Sequence, residues 1–369
     1  MSTQRITIAL TNLLIFVGMG LLLVLLWQLR SLLITLMVAV VLAASIAPVV
    51  DWGHKLGVSR WIATIVAYLS SIAALMGIAL LIGPTALDQI QRLVRQLPTY
   101  LETVRLIAED LAARLNDTPP EFVRQFFDTQ SVTRWLLGSS QQLLLRSYGL
   151  TRGFVGGVVT LILAIFISGY MLADSRTLIK SLVQLFPKPW DERLEAQVLP
   201  VTQRMGGYIR GRLVVSVVLA VATSVGLSFL GLGDFALGLG AIAGLTNLIP
   251  FLGPILGAIP ALIVALSQGG WVFLWVLILF AIVQNIETYV LDPLLVGSSV
   301  GVHPLYQLLS VIGGVQVLGI VGALIVPPWV AGVAALVENL YLKPKLLAEK
   351  AEATPEVPPT PSSSMSVPH

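Results

Sequence analysis

Residues 243–260 read AGLTNLIPFLGPILGAIP, three prolines and three glycines set among leucine, isoleucine and phenylalanine. Such a density of helix breakers belongs to a loop in water, but the residues between them belong in a core or a bilayer. Which solvent surrounds the chain therefore decides the reading. Of its 369 residues 56% are hydrophobic and 11% charged, against about 25% charged in a soluble domain. Too few polar groups remain to cover a soluble surface, and the composition predicts an integral membrane protein.

In a bilayer an unpaired backbone group finds no water. A break at Pro250, Gly253, Pro254, Gly257 and Pro260 is tolerated only where protein or a wet cavity satisfies it. Broken helices of that kind build the midplane sites of secondary transporters, and Thr246 and Asn247 beside the break offer side chains to a polar solute. A plain sharp turn between two spans is the competing reading. Pro327 and Pro328 interrupt a second apolar run, GIVGALIVPPWVAGVAAL, and two interrupted segments in one half favour transport.

Outward from the break, stretches 8–27, 32–50, 61–82 and 154–172 are long enough to cross the roughly 30 Å hydrocarbon layer. The first follows Arg5 but is longer than a signal core and has no small-residue cleavage site after it, so it reads as a retained helix. Past residue 212, spans near 213–230, 235–266, 271–291 and 305–342 bring the expected total to about eight. It falls to six if 235–266 and 305–342 are re-entrant hairpins. The fold class is all-α and polytopic. The expected divisions are transmembrane helices over 1–83, an amphipathic helical insert over 84–151, a fourth transmembrane helix over 152–174, a basic cytoplasmic segment over 175–212, a broken-helix core over 213–342 and a disordered tail over 343–369. The insert repeats Leu87, Ile90, Leu93, Leu97, Leu101 and Val104 at spacings of three and four, with a bend expected at Pro98. It reads as a surface or packing helix, or as an assembly or gating element. Counted from Asp174, the basic segment carries seven basic and four acidic residues and belongs in the cytoplasm by the positive-inside rule. Parity then places both termini there.

Between residues 213 and 342 there is no lysine or arginine; the charges are Asp234, Glu287, Asp292 and Glu338. A carboxylate at the bilayer centre costs at least about 2.5–3.5 kcal/mol on insertion, so intramembrane acids are functional candidates. Each needs a proton, water, a hydrogen bond or a cation from elsewhere. Glu287 is favoured because Gln284, Glu287 and Thr288 share one helical face. Two readings of that stripe stay open, a cavity wall and a contact with headgroups or a neighbouring helix. Asp292 before Pro293 reads as a helix stop, and Asp234 as a loop residue. His303 precedes Pro304 in an extended turn and reads as a proton relay to Glu287 or as a simple interface residue.

The chain has no cysteine, which removes thiol chemistry and disulfides. The sequence shows no zinc-ligand spacing, phosphate loop, dinucleotide fingerprint or nucleophile elbow. No cofactor, metal site or catalytic residue is expected, and the chain does not read as an enzyme. The formal charge of +3 is spread without a basic block, giving no support to nucleic-acid binding.

YMLADSR near 170, YIRGRL at 208–213, the NLIPFLGPILGAIP run, VQNIETYVLDPLLVG, VHPLYQLLSVIGG and GIVGALIVPPWVAG follow in order, and together they resemble the autoinducer-2 exporter family. Arg212 stands where that family more often has glutamine. The resemblance implies a helical transporter of the bacterial inner membrane, assembled as a homo-oligomer, that exports a furanone-type signal or exchanges sodium or lithium for protons. The expected function is efflux of a small polar solute, with cation/proton antiport through Glu287 as the alternative and a non-transporting membrane scaffold as the third. The expected partners are the lipid bilayer and a small polar solute or monovalent cation.

Overall fold

A computed structural model describes residues 16–115, 147–297 and 303–353. The described residues contain no strand. Their helices are α1 (Phe16–Gln28), α2 (Arg30–Lys55), α3 (Arg60–Leu115), α4 (Ser147–Ala173), α5 (Ser175–Val183), α6 (Trp190–Phe229), α7 (Gly233–Thr246), α8 (Leu252–Gln268), α9 (Gly270–Ile286), α10 (Pro304–Val337) and α11 (Lys343–Ala353). Residues 116–146 of the expected insert, and the tail from 354, lie outside the described residues.

By length and composition six helices are long and apolar enough to cross a membrane, α10 among them although it is broken at Gly319, and their outward faces are clad in leucine, valine and isoleucine. Two of the six run on without marking the expected domain edges. Pro84 and Pro98 both sit inside the 56-residue α3, about 84 Å of continuous helix. The basic segment leads straight into the apolar one within the 40-residue α6, about 60 Å long and twice the hydrocarbon thickness.

The interrupted segments fold as two helical hairpins. α7 and α8 hold 14 and 17 residues, about 21 and 26 Å, each short of a full crossing. They run antiparallel: Phe235, Ala236 and Leu239 of α7 share one buried cluster with Ala261, Val264 and Ala265 of α8. Near the tip, a Cβ on Gly253 would collide with the Thr246 carbonyl and the Asn247 backbone. α10 doubles back in the same way at Gly319, whose φ of 65° and ψ of −151° break the helix. Gly314 and Gly322 lie so close that a Cβ on either would strike the other's carbonyl group, whereas an unbroken helix would separate them by about 12 Å.

α6 is the axis of the packing. Its Tyr208, Val215 and Leu219 meet Val296 and Ala331. Met205 meets Val41 and Ala44 of α2 and Ile325 of α10. Arg210 donates to the carbonyls of Ala44 and Ser45 at 3.1 and 2.9 Å, which ties α6 to α2. α3 braces the first hairpin through an edge-on contact of Tyr100 with Phe235. A separate cluster of Val50, Ala67, Tyr68 and Leu172 joins α2, α3 and α4.

Two local expectations are corrected. Asp292 and Pro293 do not stop the helix after α9; the chain continues as an 11-residue π-helical stretch, Glu287–Gly297. Residues 343–353 are not part of a disordered tail but form α11. Its KPKLLAEK sequence is rich in helix formers, and Lys345 pairs with Glu349 while Lys343 reaches back to Glu338 at 3.2 Å.

Candidate functional site

The site forms where the α7–α8 turn and the π-helical stretch meet α6. The α7–α8 tip closes in a γ-turn of the rare positive-φ form: Phe251 takes φ 65° and ψ −46°, and the Leu252 amide donates to the Pro250 carbonyl at 2.7 Å. That tight reversal leaves Asn247, the residue capping α7, buried against α6.

Glu287 and Asp292 are brought together by the π conformation. Residues five apart on an α-helix point about 140° away from each other. The wider π turn, bonded from i to i+5, stacks them on one side. Gly211 allows the stretch to lie directly on α6, since a Cβ there would strike the Leu295 carbonyl.

Arg212 binds all three groups. Its Nη1 donates to Glu287 Oε1 at 3.0 Å and to Asp292 Oδ1 at 3.2 Å, and its Nη2 donates to Asn247 Oδ1 at 3.3 Å. The Arg212 and Glu287 side chains are each 4% exposed, and that of Asp292 is 38% exposed. One guanidinium thus faces two carboxylates, one sealed and one reachable. A buried pair is held less by its own attraction than by the cost of leaving either partner unpaired. The cluster therefore ties three chain segments together, and removing either buried charge would leave the other uncompensated.

Beside the cluster lies a cavity of ≈ 1370 Å³. Pro250 and Pro254 line it from the first hairpin, Gln284, Glu287 and Thr288 from α9 and the π stretch, and His303 from the start of α10. All three residues of the polar stripe thus border the cavity. Gln284 donates to Thr288 Oγ1 at 3.3 Å. Phe251, Ile255, Leu262 and Phe280 make much of the remaining surface apolar.

Other expected residues are elsewhere. Thr246 spends its hydroxyl on the carbonyls of Ile242 and Ala243. Gly253 and Gly257 face the α7 backbone, where they permit close packing, and Pro260 is inside α8. Pro327 and Pro328 are buried in the second arm of α10, next to Trp329, which donates to the Met37 carbonyl at 3.3 Å; they do not line the cavity. His303 accepts from the Leu305 amide at 3.2 Å and caps α10. It shares the cavity with Glu287, with no hydrogen bond between the two among the described residues. Asp234 is in the first turn of α7, not in a loop.

Sequence reasoning missed Arg212 as the partner of Glu287, because the cation-free window begins one residue after it. A signal was present: Tyr208, Arg212 and Ser216 recur every fourth residue and so share one face of a long helix.

The sequence profile described as "AI-2E family transporter" matches residues 13–342. YrrI of Bacillus subtilis, named as a candidate transport protein, is 28% identical over 307 residues, 81% of this chain and 84% of its own length. A candidate transport protein of Mycobacterium tuberculosis is 26% identical over 313 residues, 83% of each chain. The candidate permease PerM of Escherichia coli is 26% identical over 292 residues, 76% of this chain and 80% of its own.

Proposed function

Given that this chain belongs to the AI-2E transporter family, we propose that it exports a small polar solute through the cavity between the first hairpin and the π-helical stretch. The observation that carries this reading is the cavity itself. At ≈ 1370 Å³ it is larger than the roughly 300–1,000 Å³ of ordinary ligand pockets, far more than a bare ion requires. Its wall mixes Gln284 and Thr288 with Phe251 and Leu262, which suits an organic molecule with polar groups on an apolar frame.

The setting we propose is the bacterial inner membrane, with both termini cytoplasmic. Arg193 and Arg204 in the first half of α6, with Arg210 just past its middle, support that orientation. The chain functions there as a homo-oligomer, and both hairpins enter the membrane without crossing it.

A second reading, sodium or lithium exchange for protons, draws on a different observation. Arg212 carries one positive charge against the two negative charges of Glu287 and Asp292. Ionised, the cluster has one negative charge in excess, which a proton or a monovalent cation would balance.

One preparation tests both. Purified protein is reconstituted in liposomes preloaded with a furanone-type signal and a pH-sensitive dye. Export predicts release faster than from protein-free liposomes. Antiport predicts a sodium- or lithium-dependent dye response that Glu287→Gln lacks. A folded protein that gives neither would overturn the transport reading at this site.

A further inference from the structure

Two buried tyrosines of this chain have different surroundings. Tyr68 donates its hydroxyl to Ser168 Oγ at 2.6 Å, as a dry interior demands. Tyr208, 2% exposed, has a hydroxyl with no hydrogen-bond partner. It is not an isolated case. Among the described residues, the buried side-chain atoms left unpartnered are Arg204 Nη1 and four others: Tyr208 Oη, Arg212 Nε, Ser216 Oγ and Asn247 Nδ2. Tyr208, Arg212 and Ser216 follow at four-residue intervals along one face of α6, a rise of about 12 Å. Asn247 joins them from the hairpin tip through its bond to Arg212.

Serine in a helix commonly returns its hydroxyl to the carbonyl one turn back. Ser224 and Ser228 on the same helix do so, to Ala220 and Ser224 at 2.8 and 2.9 Å. Ser216 does not. Four polar atoms without a hydrogen bond along one buried strip would be costly in a dry interior, even with Glu287 beside the Asn247 amide. Hydroxyls, an amide and a guanidinium edge spread over that length offer partners to more than one internal water.

We infer that the strip from Tyr208 to Ser216 is a buried water-binding site that supplies protons to the Arg212–Glu287–Asp292 cluster. Hydroxyls and waters both donate and accept, so each can hand a proton on. The Arg212 guanidinium offers only donors and no acceptor, so it serves as the fixed positive charge. A proton leaving a hydronium ion in the strip binds one carboxylate oxygen, Glu287 or Asp292. That step leaves neutral water in the strip and brings the cluster from one excess negative charge to none.

The strip meets the cavity through Arg212 and Gln307, which line it; Gln307 lies beside Tyr208 without meeting its hydroxyl in hydrogen-bond geometry. The titratable and charged groups facing the cluster are Tyr208 and Arg212 from α6, Glu287 and Asp292 from the π stretch, and His303 across the cavity. α7 and α8 present none there; Asn247 is the polar group at their tip. The inference deepens the transport reading, and its proton-supply half rests on it.

Hydroxyl-radical footprinting in proteoliposomes reads the water directly, whether or not any solute moves. The expected result is oxidation of Tyr208 about tenfold faster than of Tyr68, because radicals form at bound water. Ser216→Leu, which fills the strip with an apolar side chain, is expected to return Tyr208 to the Tyr68 rate and leave Tyr68 unchanged. Equal slow labelling of the two tyrosines in the wild type overturns the water site. If solute efflux persists in that sample, only this inference fails and the transport reading stands.

The proton route is read with dye-loaded proteoliposomes under an inside-negative potassium diffusion potential. Proton entry is expected to exceed that of protein-free liposomes and to fall about tenfold in Ser216→Leu as the chain of partners is cut. Entry equal to that of protein-free liposomes, or unchanged in a folded Ser216→Leu, overturns the proton route and leaves the water site to the footprint.

Discussion

The two hairpins use one backbone device for opposite ends. Each doubles back at a residue with φ 65°, Phe251 in the first and Gly319 in the second. The first tip is polar within: Asn247 is buried and bonded to Arg212, and the turn is one wall of the cavity. The second tip is apolar and outward, with Val317 and Ile320 78% and 72% exposed. Close backbone packing builds both hairpins, but only the first has a charged side chain bonded at its tip; the second is tied by charge at its far end, where Glu338 pairs with Arg204. The hairpin shape is thus a packing solution, and the site exists where a fixed charge was added to it.

The sharpest way to break that contrast is to remove the charge. Arg212→Ala leaves Glu287 buried without a cation, and a loss of about 3–5 kcal/mol in stability is expected, read as a lower melting temperature in detergent. Arg212→Leu combined with Glu287→Leu is expected to recover most of that loss, because the uncompensated charge goes with the pair. At the second tip Val317→Ser is expected to stay within about 0.5 kcal/mol of wild type. Equal losses at the two tips would show that charge does not distinguish them.

Backbone contact, by contrast, is expected to weigh on both hairpins alike. Gly322→Val and Gly253→Val each force two backbones apart, and each is expected to cost about 1–3 kcal/mol. A loss confined to one of them would show that the two do not share a packing device.

The smallest effects concern the turns. Gly319→Ala places a Cβ at positive φ and is expected to cost about 1–2 kcal/mol. Phe251→Gly relieves the same strain and is expected to be neutral or to stabilise by about 1 kcal/mol. It also removes an aromatic wall of the cavity, so a slower solute efflux at higher stability would mark strain held for function.

Much of the fold was legible because helix length and apolar content are written directly in sequence. The broken segments were legible from their density of proline and glycine, although Pro327 and Pro328 sit inside the second arm of α10 and the break there falls at Gly319. The two carboxylates were noticed, but their partnership was not. Helical spacing of 3.6 places Glu287 with Gln284 and Thr288, a grouping the cavity retains. It also separates Glu287 from Asp292, which the π turn reverses. No local signal announces a π stretch, and Asp-Pro suggested a stop. Arg212 was hidden by its neighbours. Six other basic residues precede it in the stretch from 175 to 212, and only the uninterrupted helix from Trp190 shows that it faces inward while Arg210 faces α2.

The shortness of the hairpin arms has a consequence for how the protein is made. An arm of about 21 Å, such as α7, cannot rest across the bilayer alone, since its end groups would stay unsatisfied in hydrocarbon. With the hairpins re-entrant as proposed, α7 is expected to wait during synthesis until α8 has left the ribosome, and the first arm of α10 for the second. Each pair then commits to the membrane as one unit. Because α7 waits for α8, the Asn247 bond to Arg212 cannot close until α8 is complete. The bonds to Glu287 and Asp292 come later still, so the site is assembled after the helix that carries its cation has already been placed.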